Sequence, residues 1–308
     1  MIKLLQLYTP LSGLVGFGFI LGGKVPKDIP TYLGQFLFWI GVPISIVAFL
    51  RQADLSGPIW IAPVVAWVAI LLGAGLAWAW INKPYLKSTT PKPFWSQPAQ
   101  GSFLLAAMVG NTGYLGYPVA LAFVGTQYFG WALFYDLLGT TLGAYGLGVA
   151  LAARFGRGAQ SHWQLAQAIL INPALWSFGF GLVFRHVPLA TPVEQILHSL
   201  AWIIVALSLL LIGMRLSQLS SWHNLPRASV SLGIKMLLVP LILGSILSLF
   251  GLTGPPLLVM VLQMAMPPAF ATLVLAEVYN LDQDLAVTTL AIGSAALLVT
   301  LPIWLWLF

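Results

Sequence analysis

The chain has 308 residues, of which 59% are hydrophobic and only 6% are charged, whereas about 25% are charged in an average soluble domain. A soluble fold could not bury so much apolar surface, so the composition predicts a polytopic membrane protein. The net charge of +6 does not indicate nucleic-acid binding, because the basic residues are scattered singly between apolar runs, and the absence of cysteine excludes disulfides, thiolate metal sites and thiol catalysis.

Ten stretches of the chain are apolar and long enough to cross a membrane, which takes about 20 mostly apolar residues. They lie near residues 4–22, 32–50, 58–81, 101–125, 128–153, 163–184, 195–214, 228–250, 256–277 and 283–308. No small-residue cleavage site follows the first stretch, so we interpret it as a retained helix and not as a signal peptide. The longest connector, 82–100, is rich in proline, which is typical of an extended linker. The predicted fold class is all-α and integral to the membrane.

The basic residues are unequally divided between the two sides of the predicted membrane. One side holds Lys24, Lys27, Lys83, Lys87, Lys92, Arg154, Arg157, Arg215 and Arg227. The other side holds only Lys3, Arg51 and Arg185. Loops rich in Lys and Arg stay in the cytoplasm. The bias therefore predicts a multi-pass protein of the cell inner (plasma) membrane, with both termini outside the cytoplasm.

A weak internal symmetry relates the two halves of the chain. Thr9-Pro10 lies in the first span and Asn172-Pro173 lies in the sixth, and each pair precedes a broken span at a comparable distance. Because five spans are an odd number, a second set of five must enter the membrane from the opposite side, which makes an inverted repeat. We therefore predict a first five-helix repeat over 1–153 and a second over 163–308.

Two spans, the fourth and the ninth, are broken near their middles by residues that cannot continue a helix. The breaks read Gly110-Asn-Thr-Gly-Tyr-Leu-Gly-Tyr-Pro118 and Met264-Ala-Met-Pro-Pro268. Irregular backbone is tolerated at membrane depth only where protein or a watery cavity receives it, and a pair of such breaks indicates a transport site. Asn111 and Pro267 each lie about ten residues into their spans, roughly 15 Å by helical rise. The breaks are therefore predicted to meet near the membrane midplane.

Two outgoing half-helices start at these breaks, and Pro118 and Pro268 are predicted in their first turns, where a missing N–H is harmless. Helix N-termini carry free N–H groups and partial positive charge, so a pair of them attracts an anion. Asn111, Thr112 and Gln263 could add side-chain donors. Structural kinks repaired by neighbouring helices are the alternative, and Tyr114 and Tyr117 could either line the site or serve aromatic packing. The candidate substrate-binding residues are Asn111, Thr112, Gly113, Tyr114, Gly116, Pro118, Gln263, Met266, Pro267 and Pro268.

Polar residues inside the fifth and eighth spans are candidates for coupling or gating. Asp136 lies about 13 Å deep in the fifth span, with Thr140 one turn on and Thr141 beside it. An acid at that depth costs at least about 2.5 kcal/mol unless it is paired or neutralised. It could titrate with protons, bind Na⁺, pair with Lys235 or form a static hydrogen bond. Lys235 could instead snorkel to the interface, contact an anion or act as a gate. The spacing Gly139-x-x-x-Gly143 predicts close helix packing.

The sequence around the two breaks is similar to that of a known family. The segment Ala107-Met-Val-Gly-Asn-Thr-Gly-Tyr-Leu-Gly-Tyr-Pro-Val-Ala120 resembles the fourth-helix motif of the auxin efflux carrier family. Met266-Pro-Pro-Ala269, followed by Leu275-Ala-Glu-Val-Tyr279, resembles that family's ninth-helix signature. The resemblance implies crossed broken helices 4 and 9, a scaffold and a transport subdomain formed across both repeats, and an elevator-type movement. It implies a fold like that of the bile acid–sodium symporters and organic-anion substrates, with Asn111 near the substrate.

These features together predict a secondary transporter that exports small organic anions, auxin-like or carboxylate, by elevator-type alternating access. The transport could be linked to protons or, as the alternative, coupled to sodium. Sodium-driven relatives carry an acidic residue in the ninth-helix break, where this chain has only Gln263, and this difference disfavours a sodium site of that type. An intramembrane enzyme is disfavoured because no G-x-S-x-G or H-E-x-x-H motif occurs. A channel is disfavoured because the polar residues concentrate at one depth and do not line a continuous pore. No cofactor, metal or nucleic acid is expected; the expected partners are the substrate, membrane lipid and a second copy in a homodimer.

Overall fold

The computed structural model describes residues 13–26, 28–83, 95–156, 171, 173–217 and 224–308. Within these ranges the chain is helical, and no strand longer than one isolated bridge forms. The expectations for Thr9-Pro10, for Asn172 and for most of the 82–100 linker fall outside the described residues.

The described chain forms twelve helical segments. They are α1 Gly13–Gly22, α2 Ile29–Leu50, α3 Ile61–Ile81, α4 Gln97–Met108, α5 Tyr117–Phe123, α6 Thr126–Phe155, α7 Pro173–Phe184, α8 Thr191–Ser217, α9 Leu225–Leu249, α10 Pro255–Met264, α11 Phe270–Val278 and α12 Gln283–Leu307. Six of them, α2, α3, α6, α8, α9 and α12, are long and apolar enough to span a membrane.

The remaining segments correspond to the four other predicted spans. The two breaks divide the predicted span 101–125 into α4 and α5, and the predicted span 256–277 into α10 and α11. The segments α1 and α7 are the described parts of the predicted spans 4–22 and 163–184. Apolar side chains on the outer surface are exposed, as lipid-facing residues would be. Examples are Trp176, Val183, Leu249, Phe250 and Trp306.

Side-chain caps start two helices, α4, which leads to the first break, and α12. The Ser96 hydroxyl accepts a hydrogen bond from the backbone N–H of Ala99 at the start of α4. The Asp282 carboxylate does the same for Leu285, 2.9 Å away, at the start of α12. Such caps satisfy backbone N–H groups that have no partner inside the helix. Ser102 also donates to the backbone oxygen of Asp282 at 2.8 Å, which ties the two helix starts together.

Wide π-helical turns interrupt α2, α6 and α9, and two of these turns contain a buried charged residue. Asp136 lies in the turn Tyr135–Thr141 of α6, and Lys235 lies in the turn Gly233–Leu238 of α9. Such turns are rare inside α-helices and are frequent at functional sites. The hydrophobic periodicity of the sequence did not predict them, because one extra residue in a turn leaves the span apolar along its whole length.

Glycines allow α3 and α6 to pack closely, as the sequence predicted. A Cβ atom added to Gly139 would lie 2.2 Å from the Cβ of Ala66, and one added to Gly143 would lie 2.5 Å from the Cδ1 of Ile70. Contacts this short do not occur between real carbon atoms, so a side chain at Gly139 would push against Ala66, and one at Gly143 would require the end of the Ile70 side chain to move. The expectation of close packing at Gly139-x-x-x-Gly143 is confirmed.

The helices pack in two groups. One group consists of α2, α7 and α8, and the other consists of α3, α4, α6 and α9 to α12, which surround the breaks. Arg51 at the end of α2 holds the first group together, because its guanidinium donates to the backbone oxygens of Phe184 at 2.7 Å and Val187 at 3.0 Å. It also pairs with Glu194 of α8 at 3.2 Å.

Candidate functional site

The two helix breaks meet and share their backbone hydrogen bonds. The backbone N–H of Asn111 donates to the oxygen of Pro267 at 2.7 Å, and that of Ala269 donates to the oxygen of Val109 at 3.0 Å. These bonds flank an antiparallel bridge between Gly110 and Pro268. Unwound backbone at membrane depth needs such partners, because lipid supplies none. The prediction that the two breaks meet is confirmed.

The first break is built around Asn111. Its side-chain oxygen accepts a hydrogen bond from the backbone N–H of Tyr114 at 3.2 Å. Its backbone oxygen accepts from the N–H groups of Leu115 at 3.3 Å and Gly116 at 3.1 Å. Asn111 therefore caps the half-helix that continues as α5, a role that suits the short acceptor side chain of asparagine. Pro118 is the second residue of α5, but the helical turn Thr112–Gly116 precedes it, so Pro118 lies beyond the first turn of the half-helix, in which it was predicted.

The second break differs from its prediction in where the outgoing half-helix begins. Pro268 was expected in the first turn, but α11 begins at Phe270, after Ala269 as its N-cap residue. The physical reason is the bridge to Gly110, which holds Pro268 in extended backbone. Pro267 precedes it in the same extended stretch, where its backbone oxygen serves as an acceptor. Met266 is fully buried at the end of the incoming half.

Asp136 is the centre of a buried hydrogen-bonded cluster at the first break. The hydroxyl of Thr112 donates to one carboxylate oxygen at 2.5 Å, and the hydroxyl of Tyr117 donates to the other at 2.6 Å. Gly113 lies so close that an added Cβ would be 3.1 Å from the second oxygen. The carboxylate therefore holds the start of α5 against α6 through two charge-assisted bonds. Thr140, also buried, occupies the same wide turn.

Two other candidates take positions that the sequence did not predict. Thr141 ends the wide turn and is only partly buried. Tyr114 packs its ring against an apolar cluster of Leu37, Ile204 and Leu211, which belongs to the first helix group. The sequence left Tyr114 and Tyr117 undistinguished between site lining and aromatic packing. No local signal separates them, because the choice depends on how the half-helix is rotated.

Gln263, in the last turn of α10, is completely buried, and neither its amide nitrogen nor its amide oxygen has a hydrogen-bond partner. Leaving such a group unpaired costs about 1–3 kcal/mol by mutational measures, so buried polar groups are almost always paired. The amide lies against Gly116, where an added Cβ would be 2.1 Å from its oxygen. An unpaired amide at the junction of two helix breaks is the feature that a ligand-binding site would have.

Lys235 is also buried, with 2% of its surface exposed, and its ammonium group donates to the backbone oxygen of Met264 at 3.0 Å. The side chain therefore points into the protein, so the snorkelling interpretation is wrong. Its partner is a helix end and not the carboxylate of Asp136, since the one salt bridge within the described ranges joins Arg51 and Glu194. Asp136 therefore contacts the first break, and Lys235 contacts the end of α10 at the second break.

Comparison with known proteins identifies the group to which the chain belongs. Residues 159–305 match the family model described as membrane transport protein. An uncharacterized transporter of Methanothermobacter thermautotrophicus is 30% identical over 297 residues, which are 94% of each chain. An uncharacterized transporter of Methanocaldococcus jannaschii is 26% identical over 304 residues, or 96% of this chain and 94% of that protein.

The family and both relatives are named as transporters, and the similarity extends over nearly the whole chain. The resemblance in the break motifs and the matches therefore agree. This chain is a membrane transporter, not an enzyme, and it belongs to the membrane transport protein family, which is the auxin efflux carrier family.

Proposed function

We propose that this transporter is a secondary carrier that exports a small organic anion through the junction of its two helix breaks by alternating access. The observation that carries the proposal is the Gln263 amide, which is buried without a partner where the breaks meet. A transported ligand that forms a hydrogen bond with the amide would offset the free-energy cost of burying the amide without a partner. The chain would sit in the cell inner membrane with both termini outside the cytoplasm.

The architecture that fits this proposal has ten spans in two inverted five-helix repeats, 1–153 and 163–308. The six long helices, the two broken pairs and the partly described α1 and α7 add up to that number. The group of α2, α7 and α8 would be the scaffold, and the group around the breaks would be the moving transport subdomain. An elevator-type movement of one group against the other would expose the junction to each side in turn.

An anion is favoured because two half-helices begin at the junction. The start of α5 already faces the carboxylate of Asp136, whereas α11 has no acidic residue in its first turn and no side-chain cap at Ala269. The positive end of the α11 dipole would favour the negative charge of a carboxylate. The side-chain nitrogens of Asn111 and Gln263 would supply further donors at the same junction.

Proton linkage through Asp136 is the proposed source of energy. Its carboxylate is buried, and within the described part of the chain its hydrogen-bond donors are the hydroxyl groups of Thr112 and Tyr117, which belong to the break itself. Gain or loss of a proton there would change how tightly the start of α5 is held. Lipid would surround the apolar outer surface, and a homodimer could form through the scaffold helices.

The test is radiolabelled flux in proteoliposomes with a panel of carboxylates. In the variant Gln263→Leu we expect flux to fall at least about tenfold, the equivalent of roughly 1.4 kcal/mol of lost interaction with the transported ligand. Stability should be equal or higher, because the substitution removes an unpaired buried amide. Exposed Gln283 provides the matched control, since Gln283→Leu should leave flux unchanged. Unimpaired flux in the Gln263→Leu variant would refute the site.

A further inference from the structure

Aromatic side chains join the two helix groups near the first break. Phe49, in the last turn of α2, packs edge-to-face on Phe129 at the start of α6, with 5.3 Å between the ring centroids. Phe178 of α7 makes the same kind of contact with Phe134 of α6, also at 5.3 Å. All four rings are buried. Edge-to-face pairs add stabilisation to the burial of their rings, so these two contacts hold the first turns of α6 against α2 and α7.

The connector between α2 and α3, residues 51–60, covers the start of α6 at the same end of the molecule, which we call the connector end. The backbone N–H of Asp54 donates to the backbone oxygen of Gln127 at 2.9 Å. A Cβ added to Gly130 would lie 2.6 Å from the Cδ2 of Leu55, so the connector lies directly on the first turns of α6. The chain that leaves α2 is therefore in contact with the helix that carries Asp136.

Tyr117 connects these contacts with the buried acid. Its ring packs edge-to-face on Phe129, with 5.1 Å between the centroids, and its hydroxyl donates to Asp136 at 2.6 Å. On the other side, Phe49 packs on Trp202 of α8, with 5.5 Å between the centroids. A continuous series of contacts therefore runs from the Asp136 carboxylate through two rings to α2 and α8. Because the interior is densely packed, a displacement of Tyr117 would require Phe129 to shift as well.

We infer that Phe49 and Phe129 form a gate at the connector end, which is closed in this structure, and that Tyr117 links this gate to Asp136. The inference rests on the proposed carrier function, in which the junction of the breaks must become accessible from each side in turn. When the two rings separate, the start of α6 leaves α2, and the first break is exposed toward the connector end. Release of the Tyr117 hydroxyl from Asp136 weakens the gate from its inner side.

Disulfide cross-linking tests the gate directly, because the chain contains no cysteine of its own. Asp54 and Gln127 are exposed and their backbones are hydrogen bonded, so the pair Asp54→Cys and Gln127→Cys suits a disulfide, which bridges Cα atoms about 4.4–6.8 Å apart. We expect oxidation to form the disulfide and to stop flux in proteoliposomes, and we expect a reductant to restore flux. Each single variant is the control and should keep its flux in the oxidant. A pair that forms no disulfide, or that transports at the wild-type rate after cross-linking, would overturn the gate.

A labelling measurement tests the gate without a substrate. Leu115, buried in the first break, is replaced in the variant Leu115→Cys, which is reacted with a membrane-impermeant maleimide in sealed vesicles of each orientation. The single variant Asp54→Cys identifies the vesicles whose connector end faces the reagent. In these vesicles we expect Phe129→Leu, which removes one ring of the gate and keeps an apolar side chain, to speed the labelling at least about threefold. Phe180→Leu is the matched control, since Phe180 is 57% exposed on α7, and it should leave the labelling rate unchanged.

Tyr117→Phe tests the link between the gate and the acid, because it removes the hydrogen bond to Asp136 and keeps the ring on Phe129. It should also speed the labelling, and its combination with Phe129→Leu should be no faster than Phe129→Leu alone, since the link then has no gate to hold. Effects that multiply would overturn the link, and a labelling rate that Phe129→Leu does not change would overturn the gate. If no substrate is found, the carrier proposal fails, but disulfide formation and labelling still decide whether the gate exists.

Discussion

Gly116→Ala tests whether the contact between the two breaks at the Gln263 amide determines the geometry of the site. The added methyl carbon would lie 2.1 Å from the amide oxygen, 2.9 Å from its carbon and 3.0 Å from its nitrogen. An ordinary contact of a carbon atom is at least 3.4 Å, so the amide must move by more than an ångström. Gln263 has no exposed surface, so its amide can move only if neighbouring groups shift as well. Overpacking of this kind costs about 1–3 kcal/mol.

The assay is thermal unfolding in detergent, together with flux in proteoliposomes. We expect Gly116→Ala to lower the Tm by several degrees and to reduce flux, because the displaced amide no longer faces the junction. The matched control is Gly75→Ala in α3, where an added Cβ meets no atom within 4 Å. That substitution should be neutral or should stabilise the helix by about 0.5–1 kcal/mol, since alanine is the better helix former.

A double-mutant cycle decides whether the clash is the cause. In the pair Gly116→Ala and Gln263→Ala, the truncated side chain no longer reaches the new methyl group, so the double variant should be about as stable as Gln263→Ala alone. The expected coupling is about 1–3 kcal/mol. If the two effects simply add, or if Gly116→Ala alone leaves the Tm unchanged, the argument from the close approach is wrong.

Two further changes test the buried acid and the clamp on α2. Asp136→Asn should abolish flux driven by a pH gradient, whereas Tyr117→Phe, which removes one of its two hydrogen bonds, should keep the pH dependence at reduced flux; an intact pH response in the first variant would exclude Asp136 from coupling. Arg51→Ala removes donors to two backbone oxygens and should lower the free energy of unfolding by about 1.5–3 kcal/mol. Glu194→Gln removes only a half-exposed ion pair and should lower it by less than about 1 kcal/mol. Equal losses for these two variants would show that the ion pair, and not the carbonyl contacts, holds α2 to α7.

The sequence alone was sufficient to predict a membrane protein and the positions of its long spans, because hydrophobic length is a local property of the chain. The positions of the breaks were predictable for the same reason, since Gly and Pro act on their own backbone. That the breaks meet could be derived from their depth in the spans. The family could be identified from the same break motifs, whose residues are contiguous in the chain.

Only the tertiary structure decided which groups face each other at the junction. The bridge between Gly110 and Pro268 delays the start of α11 to Phe270, and no local preference of proline indicates that. Lys235 turns inward to the end of α10 because a wide turn of α9 places it there. Which of the two candidate tyrosines meets Asp136 likewise depends on helix rotation.

The Gln263 amide shows the same division between sequence and structure. Its place near the second break could be read from the chain, but its contact with Gly116 joins residues 147 positions apart. Contacts of that kind follow from how two broken helices pack against each other. The spacing of residues along the chain does not determine that packing. The position of the site was therefore predictable, whereas the contacts between its side chains were not.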